Sequence, residues 1–498
     1  MARIAVIGAG MGAMAAAARL AVAGHRPVVF ERASTYGGAV GRFERDGFAF
    51  DTGPGLLPLP AVYRDLFVKT GKEPLEDLVG LTQVEPAVRH VFADGTAADL
   101  PNARRAGVAE ALDATVGAGA GARWSAFMDR AREAWDRSRR PLLEEPLWPN
   151  WEVLAEREPY PAVPQKRLLR KARTAATLAD IGDLELGGDP RLVALLESYA
   201  LGYGLDPRTA PASAAVLPYM EQTFGTWAVT GGMRALADAV YARCLKRKVE
   251  FRFDTAVTRV VEKDGRAAAV ELADGAVEDA AFVVAGVAPG VLDALVPGRS
   301  VRGAVPARAE AAVPSRLTVH LALRGPRPDG TPHRTVVHGT DRTAETAWLF
   351  DGAARPDRPT VTVLRPGDAA QVPDDAHEAV TLTVTVPPGA QVSDAEVDAV
   401  LAAAGRAVPG LSERLLWHEV RTPRDIAAAT GAEGGAVPAP ALAAARGALL
   451  HPANSTSLPG LLAVGGWSHP GGGLPHAGMS GALVAGLIVE GPEFRGSQ

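Results

Sequence analysis

The chain has 498 residues, with 52 basic and 57 acidic side chains and a formal net charge of −5. That length can bury a large core without disulfides or structural metals, and the near balance of charge excludes the strongly basic face of a nucleic-acid binder. Hydrophobic residues at 47% and charged residues at 22% fit a globular fold and exclude disorder.

In chain order, Arg3–Ile7 reads as a short buried strand, because Ile4-Ala5-Val6-Ile7 is a continuous apolar run of the kind found in parallel sheets. The glycines that follow argue against a signal peptide. Gly8-Ala9-Gly10-Met11-Gly12-Ala13 satisfies the dinucleotide fingerprint G-x-G-x-x-G/A at Gly8, Gly10 and Ala13. Gly8 permits the tight turn, Gly10 lets the backbone approach a pyrophosphate, and Ala13 is small enough for helix to pack on strand. Met14–Ala23 is Ala-rich and helical, ends at Gly24, and presents its positive N-terminus to the phosphates. Pro27–Phe30 is a second strand and leads into Glu31, 19 residues after Gly12, where an acid can accept bonds from ribose hydroxyls. Glu31 disfavours a 2′-phosphate, although Arg32 is adjacent.

The Gly37-Gly38 pair then precedes Gly47-Phe48-Ala49-Phe50-Asp51-Thr52-Gly53-Pro54-Gly55. Fingerprint, acid, Gly pair and this last element together resemble the FAD-binding N-terminus of the phytoene desaturase family, within the wider flavin amine oxidase group. The resemblance implies that Gly37 and Gly38 loop over the FAD pyrophosphate and that Gly53, Pro54 and Gly55 run near the flavin ring. Ala39 stands where many relatives carry Arg or Lys, so Arg42 is the nearest cation.

Ala109–Val116 reads as a helix, and the run Gly117–Ala122 after it fits a glycine fingerprint on paper. No apolar strand precedes that run, so it is rejected as a second nucleotide site, and no NADPH domain is expected. Residues 123–173 are rich in Arg, Trp and Pro. Within them, Lys166–Arg173 is a basic amphipathic stretch, either a solvated helix face or a peripheral membrane contact.

The resemblance resumes at Phe224–Met233, a G-x-W…G-G segment that returns the chain to the cofactor domain. Arg234–Leu245 is the helix after it. It carries Cys244, the single cysteine, which excludes an internal disulfide and reads as a small apolar residue. The absence of a disulfide framework points to a cytoplasmic protein. Val249–Phe253 and Ala256–Val261 read as strands. The resemblance places the backbone of Val257 at the adenine and makes Val283–Gly286 the strand that completes the cofactor domain. Ala268–Leu272 and Val277–Ala285 form a meander about the turn Asp274-Gly275. Arg316–Leu323 and Val380–Val386 read as strands of a substrate-domain sheet, and 325–332 and 430–440 as loops.

Leu461–Val464 is a buried strand, and Gly465–Gly481 resembles the family's closing motif, followed by a helix over Ala482–Val489. Backbone N–H groups and a positive helix end near Gly466, Gly473 and Leu474 would stabilise the negative charge of a reduced flavin. His469 and His476 are the candidate catalytic acid–base groups. His469 stands where many relatives also carry His. His476 stands where relatives often have Gly. Each could instead be a loop histidine bonded to backbone.

The fold class expected is α/β: a Rossmann-like FAD-binding domain of the amine-oxidase type with a discontinuous mixed α+β substrate domain. The cofactor domain takes residues 1–75, 223–299 and 456–498, and the substrate domain 76–222 and 300–455. The resemblance implies an FAD-dependent desaturase acting on a small apolar polyene or isoprenoid, with oxygen or a quinone as electron acceptor. No metal or nucleic acid is expected. A redox-neutral polyene isomerase, an amine oxidase-type enzyme and a non-redox prenyl carrier are the alternatives.

Overall fold

The computed structural model describes residues 1–163, 172–298 and 313–496. Of the basic stretch Lys166–Arg173, only Ala172 and Arg173 fall within that set.

A five-stranded parallel sheet runs in the order Glu250–Arg252, Arg26–Phe30, Arg3–Ile7, Phe282–Ala285, Leu461–Ala463. Its three central strands are the most continuously apolar, as burial on both faces requires. One face carries the helices Met11–Val22, Met233–Lys246 and Leu474–Val489. Small residues let these helices approach closely. A Cβ on Gly481 would meet the Gly12 carbonyl oxygen at 2.6 Å and the Ala15 Cβ at 2.8 Å. Cys244 is fully buried in this layer, and burial pushes its thiol up to about 12, as suits the small apolar role expected of it.

The other face is covered by an antiparallel sheet of Val257–Lys263, Arg266–Leu272 and Val277–Asp279. Here the structure corrects the expected strand Val277–Ala285, which is two strands in different sheets. Val277–Asp279 alternates and stays at the surface, whereas Phe282–Ala285 is an apolar run that enters the parallel core. The chain changes sheets where the Ala280 N–H donates to the Ala268 carbonyl and the Ala281 N–H to that of Arg3, both at 2.9 Å.

Two helices start earlier than expected. The first begins at Met11, so the second half of the fingerprint lies inside it. The last begins at Leu474 rather than Ala482. Gly478 and Gly481 weaken helix propensity, but each is packed against a neighbouring element, and Pro475 occupies the first turn, where proline is tolerated.

A seven-stranded sheet, ordered Leu415–Arg421, Ser315–Arg324, His377–Val386, Val361–Leu364, Arg334–Val337, Val88–Val91, Ala97–Leu100, forms the second large layer. Ser315–Arg324 and His377–Val386 pair antiparallel along their whole length, from Ser315 opposite Val386 to Arg324 opposite His377. A helical cluster built on Trp124, Phe127, Leu112 and Leu196 lies beside this sheet. Gly117 and Gly119 turn the chain between the helices Arg105–Val116 and Ala120–Arg139. A Cβ on Gly121 would meet the Ala109 carbonyl at 2.2 Å. Those glycines join and pack two helices, which is why that run resembles a fingerprint without following a strand. Among the described residues, no helix is long and apolar enough to cross a membrane.

Candidate cofactor and active site

Strand order reverses between Arg3–Ile7 and Phe282–Ala285, and ligands of open parallel sheets bind at the carboxyl ends of strands beside such a reversal. Gly8 and Gly286 lie at those two ends. Gly8 has φ +90°, and a Cβ there would meet the Gly286 carbonyl oxygen at 3.0 Å. The Gly286 N–H donates to the Ile7 carbonyl at 2.8 Å, and a Cβ on Gly286 would lie 3.1 Å from that of Ala13. Gly8, Ala13 and Gly286 therefore close the junction of strand and helix. Gly10 faces the opposite way, with no atom within 4 Å of where its Cβ would be.

Gly10 caps the helix Met11–Val22 without a side-chain bond. The parallel bridge between Gly10 and Gly37 turns the Met11 N–H toward the Gly37 carbonyl, whereas among the described residues no acceptor is seen for the amide N–H groups of Gly12 and Ala13. Two backbone donors at a positive helix end, beside an open glycine face, fit the pyrophosphate of a dinucleotide. Gly37 and Gly38 fold over this loop. The Gly37 N–H donates to the Ala9 carbonyl at 2.8 Å, and a Cβ on Gly38 would sit 3.1 Å from the Gly10 Cα.

Glu31 ends its strand with both carboxylate oxygens on backbone, accepting from the Ala9 N–H at 2.7 Å and the Ala33 N–H at 2.8 Å. The Thr255 N–H donates to the Glu31 carbonyl at 2.9 Å, which brings Val257 near the acid. Neither arginine expected to touch the cofactor is free. Arg32 donates to the carbonyls of Ala428 and Ala429 at 2.7 and 3.2 Å, closing the helix Pro423–Thr430. Arg42 pairs with Glu44 at 2.6 Å and reaches the Gly231 carbonyl at 3.4 Å. The anion-binding capacity of this loop thus rests on backbone donors.

Gly53, Pro54 and Gly55 follow the strand Phe48–Asp51. A Cβ on Gly53 would lie 2.1 Å from the Ala39 carbonyl, so this segment runs backbone against backbone along the residues after the Gly pair. Asp51 accepts from the Met233 N–H at 2.8 Å and the Arg234 N–H at 3.2 Å, tying this segment to the start of the helix Met233–Lys246. Burial raises the pKa of Asp51 and the two amide bonds oppose the rise.

At the chain's far end, Gly466 packs on Pro438 and Gly473 caps the helix Leu474–Val489, again without a side-chain bond. No acceptor is seen for the amides of Leu474 and His476 among the described residues. A Cβ on Gly12 would meet the Ala477 carbonyl at 2.8 Å and the Gly465 Cα at 3.0 Å, so the two uncapped helix ends stand side by side. The Tyr63 hydroxyl donates to the Leu474 carbonyl at 3.0 Å and holds the first turn of that helix.

The two histidines differ. His469 is fully buried and its Nε2 donates to the Glu145 carbonyl at 2.8 Å, which fixes the tautomer and leaves Nδ1 without a described partner. His476 lies in the first turn of the last helix, buried, and its ring makes no hydrogen bond to a described residue. Burial lowers both to about 4, with His469 adding to the effect on His476, so both rings are neutral at pH 7.

A cavity of about 400 Å³ opens against Asp51, Gly53 and Gly55 and extends to Leu364 and Thr381 of the seven-stranded sheet. Arg327, His333 and Asp368 also line it. Sequence reasoning did not reach these three: Arg327 and His333 share the connection after Ser315–Arg324, Asp368 lies in the one after Val361–Leu364, and no motif links them.

A parallel sheet with glycine loops at its switch point and two uncapped helix ends defines a dinucleotide-binding oxidoreductase of the flavoprotein type. The chain belongs to the flavin containing amine oxidoreductase family, whose model matches residues 14–489, and it is an FAD-dependent oxidoreductase. It is 30% identical to a 4,4′-diapolycopene oxygenase of Methylomonas sp., with 98% of each chain covered. It is 29% identical to a hydroxyneurosporene desaturase of Rhodobacter capsulatus, covering 98% of this chain and 97% of the relative. Among solved structures, an oxidoreductase from Methanosarcina mazei shares the fold with a TM-score of 0.64 at 16% identity, covering 97% of this chain and 99% of the other. A putrescine oxidase shares it with a TM-score of 0.63 at 13% identity, covering 98% and 99%.

Proposed function

We propose that this enzyme is a desaturase that forms C=C bonds in an acyclic polyene or related isoprenoid. Near full-length likeness to a hydroxyneurosporene desaturase and a diapolycopene oxygenase carries this reading. Bound FAD supplies a two-electron acceptor for C–H oxidation. The chain's own groups bind and orient. The amides of Gly12 and Ala13 hold the pyrophosphate, Glu31 and the backbone of Val257 the adenosine half, and Gly53, Pro54 and Gly55 flank the ring. The amides of Leu474 and His476 offset negative charge on the reduced cofactor. Residues 1–75, 223–299 and 456–498 form the cofactor domain and 76–222 and 300–455 the substrate domain. Oxygen or a quinone takes the electrons onward.

His476 is the proposed proton acceptor, because His469 is already held by the Glu145 carbonyl. Anaerobic mixing with acyclic polyenes tests the reading: the flavin absorbance bleaches and a product with one more double bond appears in equal amount. Conversion of substrate with no consumption of acceptor would mean isomerisation instead. His476→Ala slows flavin reduction about 100-fold or more with FAD retained, the usual worth of a general base. Unchanged reduction removes His476 from the chemistry.

A further inference from the structure

The cavity beside Asp51–Gly55 does not suit a plain hydrocarbon along its whole wall. Phe50, Leu364 and Ala379 give it apolar lining, and Arg327, His333 and Asp368 line it as well. Arg327 is anchored through Nε to the Arg365 carbonyl at 2.9 Å and through Nη2 to the Thr331 carbonyl. No bond is seen to its Nη1 among the described residues. The His333 carbonyl accepts from the Arg365 N–H at 2.8 Å, its ring makes no hydrogen bond to a described residue, and burial and the nearby Arg327 and Arg334 keep that ring neutral at pH 7. Asp368 receives the N–H groups of Gly231 at 2.5 Å and Ala370 at 2.9 Å and keeps further lone pairs. Its charge is felt by both His333 and Asp51. A hydrocarbon filling this chamber would cover these groups without satisfying them, which opposes binding.

We propose that this cavity receives the hydroxylated end of the polyene, with Arg327 and His333 as the residues that select it. The assignment rests on the desaturase reading for the rest of the substrate. A hydroxyl both donates and accepts, and the chamber offers both partners: donors on Arg327, either role on His333, an acceptor on Asp368. A carboxylate would face Asp51 and Asp368 at close range. A carbonyl would leave Asp368 without a proton to accept. Sites built to hydrogen-bond a hydroxyl discriminate strongly against the analogue that lacks it, because their own polar groups are then left unpaired.

The test uses the full-length, FAD-loaded enzyme and two acyclic polyenes of equal length, one ending in a hydroxyl and one in hydrocarbon, in the same detergent micelles. Binding is read from the polyene's spectral shift and turnover from anaerobic bleaching. The hydroxylated polyene binds about 10-fold or more tightly, the worth of one hydrogen bond in a buried site, and kcat/KM follows the same order. H333F and R327M bring the ratio toward one, and H333N recovers part of it. H333N also keeps the test open should the phenyl ring not be accommodated. Equal affinity of the two polyenes, or an unchanged ratio in both H333F and R327M, overturns the proposal. So does tighter binding of a carboxylate-ended analogue. Selective binding without bleaching overturns the desaturase reading and leaves the cavity assignment standing. Equal bleaching by both polyenes does the reverse.

Discussion

The parallel-sheet half and the seven-stranded half of the molecule offer different kinds of polar group. Around the parallel sheet the donors are backbone amides at two uncapped helix ends, exposed by glycines, and the nearby arginines are spent elsewhere, Arg32 on a helix end and Arg42 on Glu44. Against the seven-stranded sheet the cavity is lined by side chains, among them Arg327, His333 and Asp368. A backbone site depends on local conformation and on the absence of side chains, so few sequences can make it. A side-chain site can be rebuilt from any loop that reaches the cavity. The difference teaches that one half can be held constant for a cofactor while the other is free to follow a substrate.

The comparison breaks most visibly where the cofactor half has no room. Gly481→Val places its branches against the Gly12 carbonyl, the Ala15 Cβ and the Ala16 nitrogen, all within 2.8 Å of a Cβ. Overpacking of this kind costs about 1–3 kcal/mol, and because it separates the two helix ends it also releases FAD. Thermal unfolding and the flavin absorbance after gel filtration check both. A variant that melts like the parent and stays yellow shows that the ends need not touch.

Acid is the next largest effect, and it acts on both halves. His469 and His476 on one side and His320, His333 and His338 on the other are held at about 3 to 4 by burial. Their folded values lie below the ordinary 6.5. Their neutral burial therefore costs nothing above about pH 6.5, and stability is lost as pH falls from there toward 4. Each histidine contributes up to about 1.4 kcal/mol per pH unit in that window. Denaturant titrations at pH 7.5, 6 and 5 check this, and a flat profile would mean that these rings take up protons while folded.

Glu31→Ala is smaller and confined to the cofactor half. It removes the acceptor of the Ala9 and Ala33 amides and so loosens the glycine loop as well as the ribose contact. A loss of about 1–3 kcal/mol in FAD affinity, roughly 10- to 100-fold, is expected from charge-assisted bonds and is read from a titration of apoprotein with FAD. Arg32→Ala is the smallest. Removing a cation from the end of the helix Pro423–Thr430 changes stability by under about 1 kcal/mol, with FAD affinity unchanged. A large loss of FAD would place Arg32 on the cofactor after all.

Legibility followed the same division. The strand Arg3–Ile7, the fingerprint and the strands Arg316–Leu323 and Val380–Val386 were all readable, because apolar runs and glycine spacing are local signals, whereas the pairing of the last two was not. The last helix was read eight residues short: the propensity of Gly478 and Gly481 argues against helix, and only their contacts with Val62 and Gly12 explain why they are there. Val277–Ala285 was read as one strand because nothing in the stretch announces that its halves belong to different sheets. His333, Arg327 and Asp368 left no trace as a group, since Asp368 comes from a different connection from the other two and no spacing ties them together.

The sequence by itself determined the family, the cofactor and the glycines that pack strand against helix, because a glycine required by close contact is constrained whatever surrounds it. Tertiary structure alone decided which histidine is already held, which arginines are spent on helix ends and ion pairs, and which polar side chains meet in the cavity. Those outcomes depend on partners hundreds of residues away, such as Glu145 for His469 and Ala428 for Arg32. Local chemistry names what a residue can do, and packing decides whether it is free to do it.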